Sequence, residues 1–235
     1  MTDRKWTKVD NYLAESLLPS DDALEAALAA NVAADLPSID VSPLQGQLLY
    51  LLARMIGARR VLEIGTLGGY STICMAKAVG EGGRVVTLEA EPEHADVARR
   101  NIARAGFAEI VDLRLGLALD ILPALAGEAP FDLIFIDADK PSMPDYLTWA
   151  LRLSRIGTVI VGDNVVQDGE VTDASSNDPS VQDVQRYLKM IGDNPRLSGT
   201  ALQTVGRKGW DGLAIALVEA GEPARMSRGP SLRQG

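Results

Sequence analysis

Hydrophobic positions follow a helical period in the first part of the chain and change to short apolar runs after residue 60. Residues 6–18 and 21–34 are predicted to be helices separated by a Pro-Ser pair. A third helix is predicted to begin at Ser42, which would cap it, with proline at the first helical position and Gln45 three residues after the cap. The apolar stripe of this helix, which Gly57 ends, consists of Leu44, Leu48, Leu51, Leu52 and Met55.

From residue 60 onward, predicted strands and helices alternate. Strands are predicted over 61–64, 84–88, 110–115, 131–136 and 158–161, and helices over 71–79, 92–105, 118–126 and 146–154. This alternation implies right-handed crossovers and a parallel sheet that is covered by helices on both faces. The pattern therefore predicts an α/β fold.

The end of the chain follows a different pattern. A polar stretch over 167–179 is long enough to suggest a functional lid. After a helix over 181–191, strands over 200–205 and 213–218 are joined by the short connection 206–212, which predicts an antiparallel pair. The expected sheet is therefore mostly parallel and seven-stranded, with one antiparallel strand at its end.

One folded domain is expected, because the chain shows neither an internal repeat nor a second core. Residues 1–57 are predicted to form an N-terminal helical segment packed on this domain, and residues 58–220 its core. Residues 221–235 are rich in Pro, Gly, Ser and Arg and are predicted to be a disordered tail.

Composition limits the possible partners and functions. A net charge of −9 argues against nucleic acid as a partner, and no apolar run approaches the length of a membrane span. With no signal-peptide core at the start, the chain reads as a cytoplasmic protein. A single cysteine, Cys74, and a single histidine, His94, argue against a Cys/His zinc site and a Ser-His-Asp hydrolase. We interpret His94 as an exposed surface residue.

Acidic residues gather at the predicted strand ends. Four of the five strands place a carboxylate in or just after the strand: Glu63, Glu89, Asp137 and Asp163. Ligands of open α/β sheets bind beyond the carboxyl ends of the strands. The site is therefore expected at this edge.

The glycine-rich run Gly65-Thr66-Leu67-Gly68-Gly69 follows the first strand. Leu67 stands where a dinucleotide-binding loop needs its second glycine, so the loop favours a nucleoside without a pyrophosphate. Glu89, 24 residues after Gly65, is placed to accept hydrogen bonds from ribose hydroxyls. S-adenosylmethionine (SAM) has a ribose, an amino-acid end and no phosphate, although a glycine loop alone also fits a tight turn.

Asp137, Asp163 and Asn164 follow two strands that should be neighbours. Two carboxylates and an amide oxygen suit Mg²⁺ first, with Mn²⁺ or Ca²⁺ as alternatives; a strand-end turn and a helix cap would equally account for these residues. Lys140 follows Asp137 by three residues. Like charge beside a metal favours the neutral amine, which can act as a general base, whereas a lysine without a role would be solvated at the surface.

Three motifs together carry a family resemblance: residues 61–71, Asp137-Ala138-Asp139-Lys140 and Asp163-Asn164. They resemble the cation-dependent O-methyltransferases, which include caffeoyl-CoA and catechol O-methyltransferases, over roughly residues 40–218. The run 209–213 looks like that of the bacterial members. The resemblance implies a Rossmann-like class I methyltransferase fold, a homodimer, and a SAM- and Mg²⁺-dependent enzyme acting on vicinal dihydroxy aromatic compounds.

The resemblance also implies residue roles. Asp137, Asp163 and Asn164 match the metal ligands, Lys140 matches the base, and Asp137 is expected to serve both metal and cofactor. The positions that match cofactor contacts are Val41, Glu63, Gly65, Thr66, Ser71, Glu89 and Ala118.

The chain departs from the catechol enzymes at two points. Ala138 and Asp139 stand where those enzymes carry bulky residues, and no equivalent of the acid that orients their second hydroxyl is identified. Three alternatives stay open: a metal-independent methyltransferase of RNA or protein, a nucleoside-binding module without turnover, and a nicotinamide oxidoreductase, which Leu67 disfavours.

Overall fold

A computed structural model of the chain describes residues 3–221. The helices are α1 (Asp3–Leu17), α2 (Asp22–Ala33), α3 (Pro43–Met55), α4 (Tyr70–Val79), α5 (Pro92–Arg104), α6 (Ala118–Ile121), α7 (Met143–Arg152) and α8 (Pro179–Asp193). The strands are β1 (Arg60–Ile64), β2 (Arg84–Glu89), β3 (Val111–Leu115), β4 (Phe131–Ile136), β5 (Ser154–Asp163), β6 (Leu197–Gly206) and β7 (Gly209–Val218). The predicted disordered tail lies outside the described residues, apart from Gly221.

The seven strands form one sheet in the order β3-β2-β1-β4-β5-β7-β6. Strands β1 to β5 pair in parallel, and β7 pairs antiparallel with both β5 and β6. The predicted fold class, with one antiparallel strand, is confirmed. The reversed strand was predicted at the end of the sheet, and this placement is wrong. The chain enters β6 at the edge and turns back into β7 beside β5.

The β6–β7 hairpin is tighter than predicted. Gly206 pairs with Gly209, so only Arg207 and Lys208 form the turn. Trp210 and Asp211, which were predicted within the connection, continue the ladder opposite Val205 and Thr204. The ladder therefore brings the turn to a fixed position near the ends of the parallel strands.

Buried side chains alternate between the two faces of the sheet. Leu62 and Ile134 belong to one core cluster together with Leu147 of α7. Val61 and Leu133, their neighbours in the strands, belong to a second cluster on the other face. This alternation follows the two-residue period of a strand, and helices cover both faces, because the second cluster includes Met75 of α4.

Helices α2 and α3 begin at side-chain caps and pack on the sheet domain. The Asp21 carboxylate accepts a hydrogen bond from the Leu24 amide at 3.2 Å at the start of α2. On α3, the buried face consists of Gly46, Leu49 and Ala53, whereas Met55 of the predicted stripe is 79% exposed. The face of α3 that carries Gly46 packs closely on α4, because a Cβ at Gly46 would lie 3.0 Å from the Cys74 sulfur. The proposed division into residues 1–57 and 58–220 stays a prediction.

Two predicted elements differ in detail. The helix predicted over 118–126 is α6 followed by a 3-10 helix over Leu122–Gly127, because Pro123 offers no amide to continue the α-helical bonding. The stretch 167–179 contains a 3-10 helix, Gln167–Thr172, and Gln185 of α8 donates to the carbonyls of Val171 and Asp173. No helix among residues 3–221 is long and apolar enough to cross a membrane.

Candidate active site

A cavity of about 1000 Å³ opens at the carboxyl ends of the parallel strands. The strand ends supply most of its polar groups, as expected for an open α/β sheet. The predicted site residues that line it are Val41, Gly65, Thr66, Ser71, Glu89, Ala118, Asp137, Lys140, Asp163 and Asn164. The structure therefore brings together every predicted site residue except Glu63.

The glycine loop after β1 lies directly against the end of β4. Gly65 has φ of 98°, and a Cβ at this position would lie 1.9 Å from the carbonyl oxygen of Asp137. The Asp137 amide donates to the Ile64 carbonyl at 2.8 Å, which continues the β1–β4 pairing to this point. Only glycine allows this approach, so Gly65 fixes the distance between the loop and Asp137.

Glu89 holds the same glycine loop from the other side. One carboxylate oxygen accepts hydrogen bonds from the amides of Thr66 at 3.2 Å and Leu67 at 2.7 Å. The second oxygen accepts from the Glu91 amide at 2.9 Å and lies 3.5 Å from His94 Nδ1. The carboxylate is thus anchored by main-chain donors and still faces the cavity.

His94 does not occupy the exposed position that we predicted from the sequence. Its side chain is 21% exposed and lines the cavity beside Glu89. Pro92 starts α5 immediately after β2, which turns the first helical turn toward the carboxyl end of that strand. A histidine in the first turn after the predicted ribose-binding acid was the available signal.

Glu63 lies behind the cavity wall and does not line it. Its fully buried carboxylate accepts hydrogen bonds from the hydroxyls of Ser71 at 2.5 Å, Thr87 at 2.6 Å and Thr72. Burial raises the pKa of Glu63 to about 7 in spite of these donors. Ser71 stands between Glu63 and the cavity, so a direct cofactor contact of Glu63 stays a prediction.

The acidic residues at the carboxyl ends of β4 and β5 converge with Lys140. Lys140 Nζ lies 3.3 Å from Asp137 Oδ1. Burial, and next the negative charge of Asp137, raise the pKa of Asp163. Asp163 Oδ1 accepts a hydrogen bond from the main-chain amide of Asn164 at 2.8 Å. Asn164 adopts a left-handed φ of 56°. Two carboxylates and an amide side chain thus face one cavity, and Lys140 pairs with one of the carboxylates.

This set can hold a hard cation. Among residues 3–221, no group of three His, Cys, Asp or Glu side chains is placed to bind a metal ion. The predicted metal ligands differ from such a group because they consist of two carboxylates, Asp137 and Asp163, and the side-chain amide of Asn164. Mutual repulsion of the Asp137 and Asp163 carboxylates is the feature that a bound cation would relieve, and their oxygens are the donors that Mg²⁺ prefers.

Further cavity residues were not predicted as functional. Gln45, the third residue of α3, donates through Nε2 to Asp163 Oδ2 at 2.6 Å. Lys208, in the hairpin turn, donates to the Ser38 carbonyl at 3.0 Å and also lines the cavity. Nothing in the sequence around Lys208 points to a site. In contrast, none of the described lining residues comes from the predicted lid over 167–179.

Comparison with known proteins places the chain in a family. The sequence profile described as O-methyltransferase matches residues 18–217. A catechol O-methyltransferase of Mycobacterium tuberculosis is 57% identical over 210 residues, which cover 89% of this chain and 94% of that protein.

Solved structures agree with this match. An O-methyltransferase from Bacillus cereus in complex with SAH is 56% identical, with a TM-score of 0.91 and coverage of 92% of this chain and 100% of that one. TomG from Streptomyces achromogenes, an O-methyltransferase involved in tomaymycin synthesis and solved with SAM, is 49% identical, with a TM-score of 0.90 and coverage of 94% and 100%. The chain therefore belongs to the O-methyltransferase family, as its motifs predicted.

Proposed function

We propose that this enzyme transfers the methyl group of SAM to one hydroxyl of a vicinal dihydroxy aromatic compound, with a divalent cation, Mg²⁺ first, at the acceptor. The observation that carries the proposal is the position of Asp137. Its main chain packs against Gly65 of the glycine loop, and its side chain faces Lys140 and Asp163. One residue thus joins the proposed cofactor side of the cavity to the proposed acceptor side.

The cofactor side is formed by the glycine loop and Glu89. Gly65 and Thr66 line the cavity, and the Glu89 carboxylate, which accepts the Thr66 main-chain amide, faces it from β2. Gly116 and Ala118 line the same part after β3. The ribose of the cofactor would bind opposite Glu89, and the complexes of the two solved relatives with SAH and SAM support this nucleoside.

The acceptor side is formed by Lys140, Asp137, Asp163 and Asn164. Asp137, Asp163 and Asn164 would hold the cation, which when bound lowers the pKa of a coordinated hydroxyl. Lys140 in its neutral amine form would accept the proton of the acceptor hydroxyl at Nζ, and Asp137 Oδ1, 3.3 Å away, would balance the resulting ammonium. The acceptor oxygen then bonds to the methyl carbon as the carbon–sulfur bond breaks and its electron pair stays on sulfur.

Alignment is the main contribution of the protein to this reaction. Gly65 fixes the glycine loop against Asp137, so methyl donor and acceptor are bound at a set separation. Holding two reactants in line can supply about 7–11 kcal/mol of the barrier. The catechol O-methyltransferase of Mycobacterium tuberculosis supports a catechol-like acceptor. Ala138 and Asp139 replace the bulky residues of the catechol enzymes, so other residues of the cavity would have to orient the second hydroxyl of the acceptor.

We further propose that the protein is a cytoplasmic homodimer with no nucleic-acid or membrane partner. Val9, Tyr12 and Leu17 of α1 are exposed, as are Leu202 and Val205 of the edge strand β6. Because α1 packs against β6, these apolar side chains lie on neighbouring elements. A second copy of the chain would cover them, and sedimentation equilibrium of wild type and Tyr12→Glu would test this pairing.

Methyl transfer from labelled SAM to a panel of catechols, with Mg²⁺ or with EDTA, tests the proposed activity. Turnover that EDTA abolishes and Mg²⁺ restores is the predicted result. Turnover that EDTA leaves unchanged would remove the cation from the proposal and favour a metal-independent methyltransferase. SAM binding without turnover on any acceptor would favour a nucleoside-binding module.

A further inference from the structure

Gln45 makes a contact that its position in the sequence does not suggest. In a capping box, the third helical residue turns its side chain back to the amide of the cap. At the start of α3, the Ser42 hydroxyl accepts a hydrogen bond from the main-chain amide of Gln45 at 3.2 Å. The Gln45 side chain, however, donates to Asp163 Oδ2 at 2.6 Å, 118 residues away in the chain.

This hydrogen bond completes the support of the Asp163 carboxylate. Oδ1 accepts a hydrogen bond from the main-chain amide of Asn164 at 2.8 Å, and Oδ2 accepts one from Nε2 of Gln45. Asp163 is buried at the end of the interior strand β5, and its carboxylate is held by one donor on each oxygen. Each carboxylate oxygen has a further lone pair that can bind a cation, and Asp163 lines the cavity.

The helix that carries Gln45 is itself fixed in position. Ser42 and Pro43 set its first turn, and Gly46, the next residue after Gln45, lies against Tyr70 and Cys74 of α4. A Cβ at Gly46 would be 3.0 Å from both side chains, so α3 has little freedom to slide or rotate. Gln45 therefore approaches Asp163 from a rigid element.

We propose that Gln45 is a positioning residue that orients the Asp163 carboxylate for the divalent cation. This inference rests on the proposed function, because the cation belongs to that proposal. Hydrogen bonds to ligating carboxylates fix their orientation, and losing such a partner commonly costs about 10–100-fold in metal affinity. A purely helix-capping Gln45 would instead affect unfolding and leave the affinity for metal unchanged.

The test is calorimetric titration of Mn²⁺ into the SAH-saturated protein, which requires no turnover. Four proteins are compared: wild type, Gln45→Met, Asp163→Ala and Gln47→Met. Methionine keeps the length and helix preference of glutamine and removes the donor. Gln47→Met makes the same chemical change two residues further along α3, at a position that does not line the cavity.

Gln45→Met should bind Mn²⁺ about 10-fold or more weakly than wild type, while its affinity for SAH and its melting temperature change little. Gln47→Met should match wild type in all three measurements. Mn²⁺ affinity of Gln45→Met within twofold of wild type would overturn the positioning role, provided that Asp163→Ala has lost Mn²⁺. Absence of Mn²⁺ binding in wild type would overturn the cation in the proposed function, and the role of Gln45 with it.

Discussion

The carbonyl oxygen of Asp137 lies where a side chain on Gly65 would begin, since a Cβ built on Gly65 would be 1.9 Å from it. The first residue of the glycine loop and the first residue after β4 are thus in direct contact. The contact sets how closely a nucleoside held by the loop approaches the groups around Asp137. It also makes position 65 intolerant of any side chain.

Gly65→Ala should therefore lose both stability and cofactor binding. The alanine would meet a main-chain atom that cannot move aside, in addition to the cost of a positive φ of 98°. The matched control is Gly106→Ala, where φ is 83° and no atom lies within 4 Å of the added Cβ. Gly106→Ala should cost about 1 kcal/mol in chemical denaturation, and Gly65→Ala clearly more. Equal losses would show that the contact with Asp137 is unimportant.

Glu89→Ala should weaken SAM binding far more than it slows turnover at saturating SAM. The carboxylate anchors the main-chain amides of Thr66 and Leu67 and faces the cavity, but it takes no part in the proposed proton transfer to Lys140. Loss of charged hydrogen bonds of this kind costs about 1.5–3 kcal/mol, or roughly 10- to 100-fold in affinity. Calorimetry and saturation kinetics measure the two effects separately, with the exposed Glu93→Ala as control. Equal losses of affinity and turnover would assign Glu89 a structural role.

The buried Glu63 carboxyl should make stability fall as the pH rises. Burial raises its pKa from 4.5 to about 7, so the folded state holds the proton more tightly than the unfolded chain does. The free energy of unfolding should therefore decrease between about pH 4.5 and 7, by up to about 3 kcal/mol from this group. Glu63→Gln should flatten the profile in that range. Parallel profiles of variant and wild type in urea unfolding would show that Glu63 does not titrate in this way.

Lys140→Met should reduce turnover by about 100- to 10,000-fold if Lys140 is the general base. SAM affinity should stay within a few-fold, because the glycine loop and Glu89 are untouched. The control is Lys189→Met, which removes an exposed lysine paired with Asp193 on α8. Full turnover in Lys140→Met at neutral pH would exclude the lysine as base. Recovery of turnover at higher pH would agree with its role, since hydroxide can then remove the acceptor proton.

The sequence predicted the sheet and most of the site for the same physical reason. Short runs that are buried at every position, such as 131–136, mark strands between two helical layers, and parallel strands bring their carboxyl ends to one edge. Any acid that follows such a strand must lie at that edge. The proximity of Asp137 and Asp163 could therefore be predicted without knowing any tertiary contact.

Residues that approach the site from outside the parallel strands were harder to predict. Gln45 fits a local capping motif, and only the packing of α3 on α4 shows that its side chain points to Asp163. Lys208 reaches the cavity because the hairpin turn is two residues long, and this length depends on the β6–β7 register. Glu63 matched a motif position, yet whether its side chain faces the cavity or the interior depends on tertiary packing with Ser71, Thr72 and Thr87.

Asp163→Ala tests the central claim most directly, with methyl transfer from labelled SAM to catechol and SAH affinity measured on the same protein. We predict that turnover falls at least about 1000-fold at saturating SAM and Mg²⁺, because the acceptor loses a group that aligns it. SAH affinity should stay within about twofold, because the glycine loop and Glu89 are unchanged. Turnover that persists in Asp163→Ala, and does so in EDTA, would contradict the account.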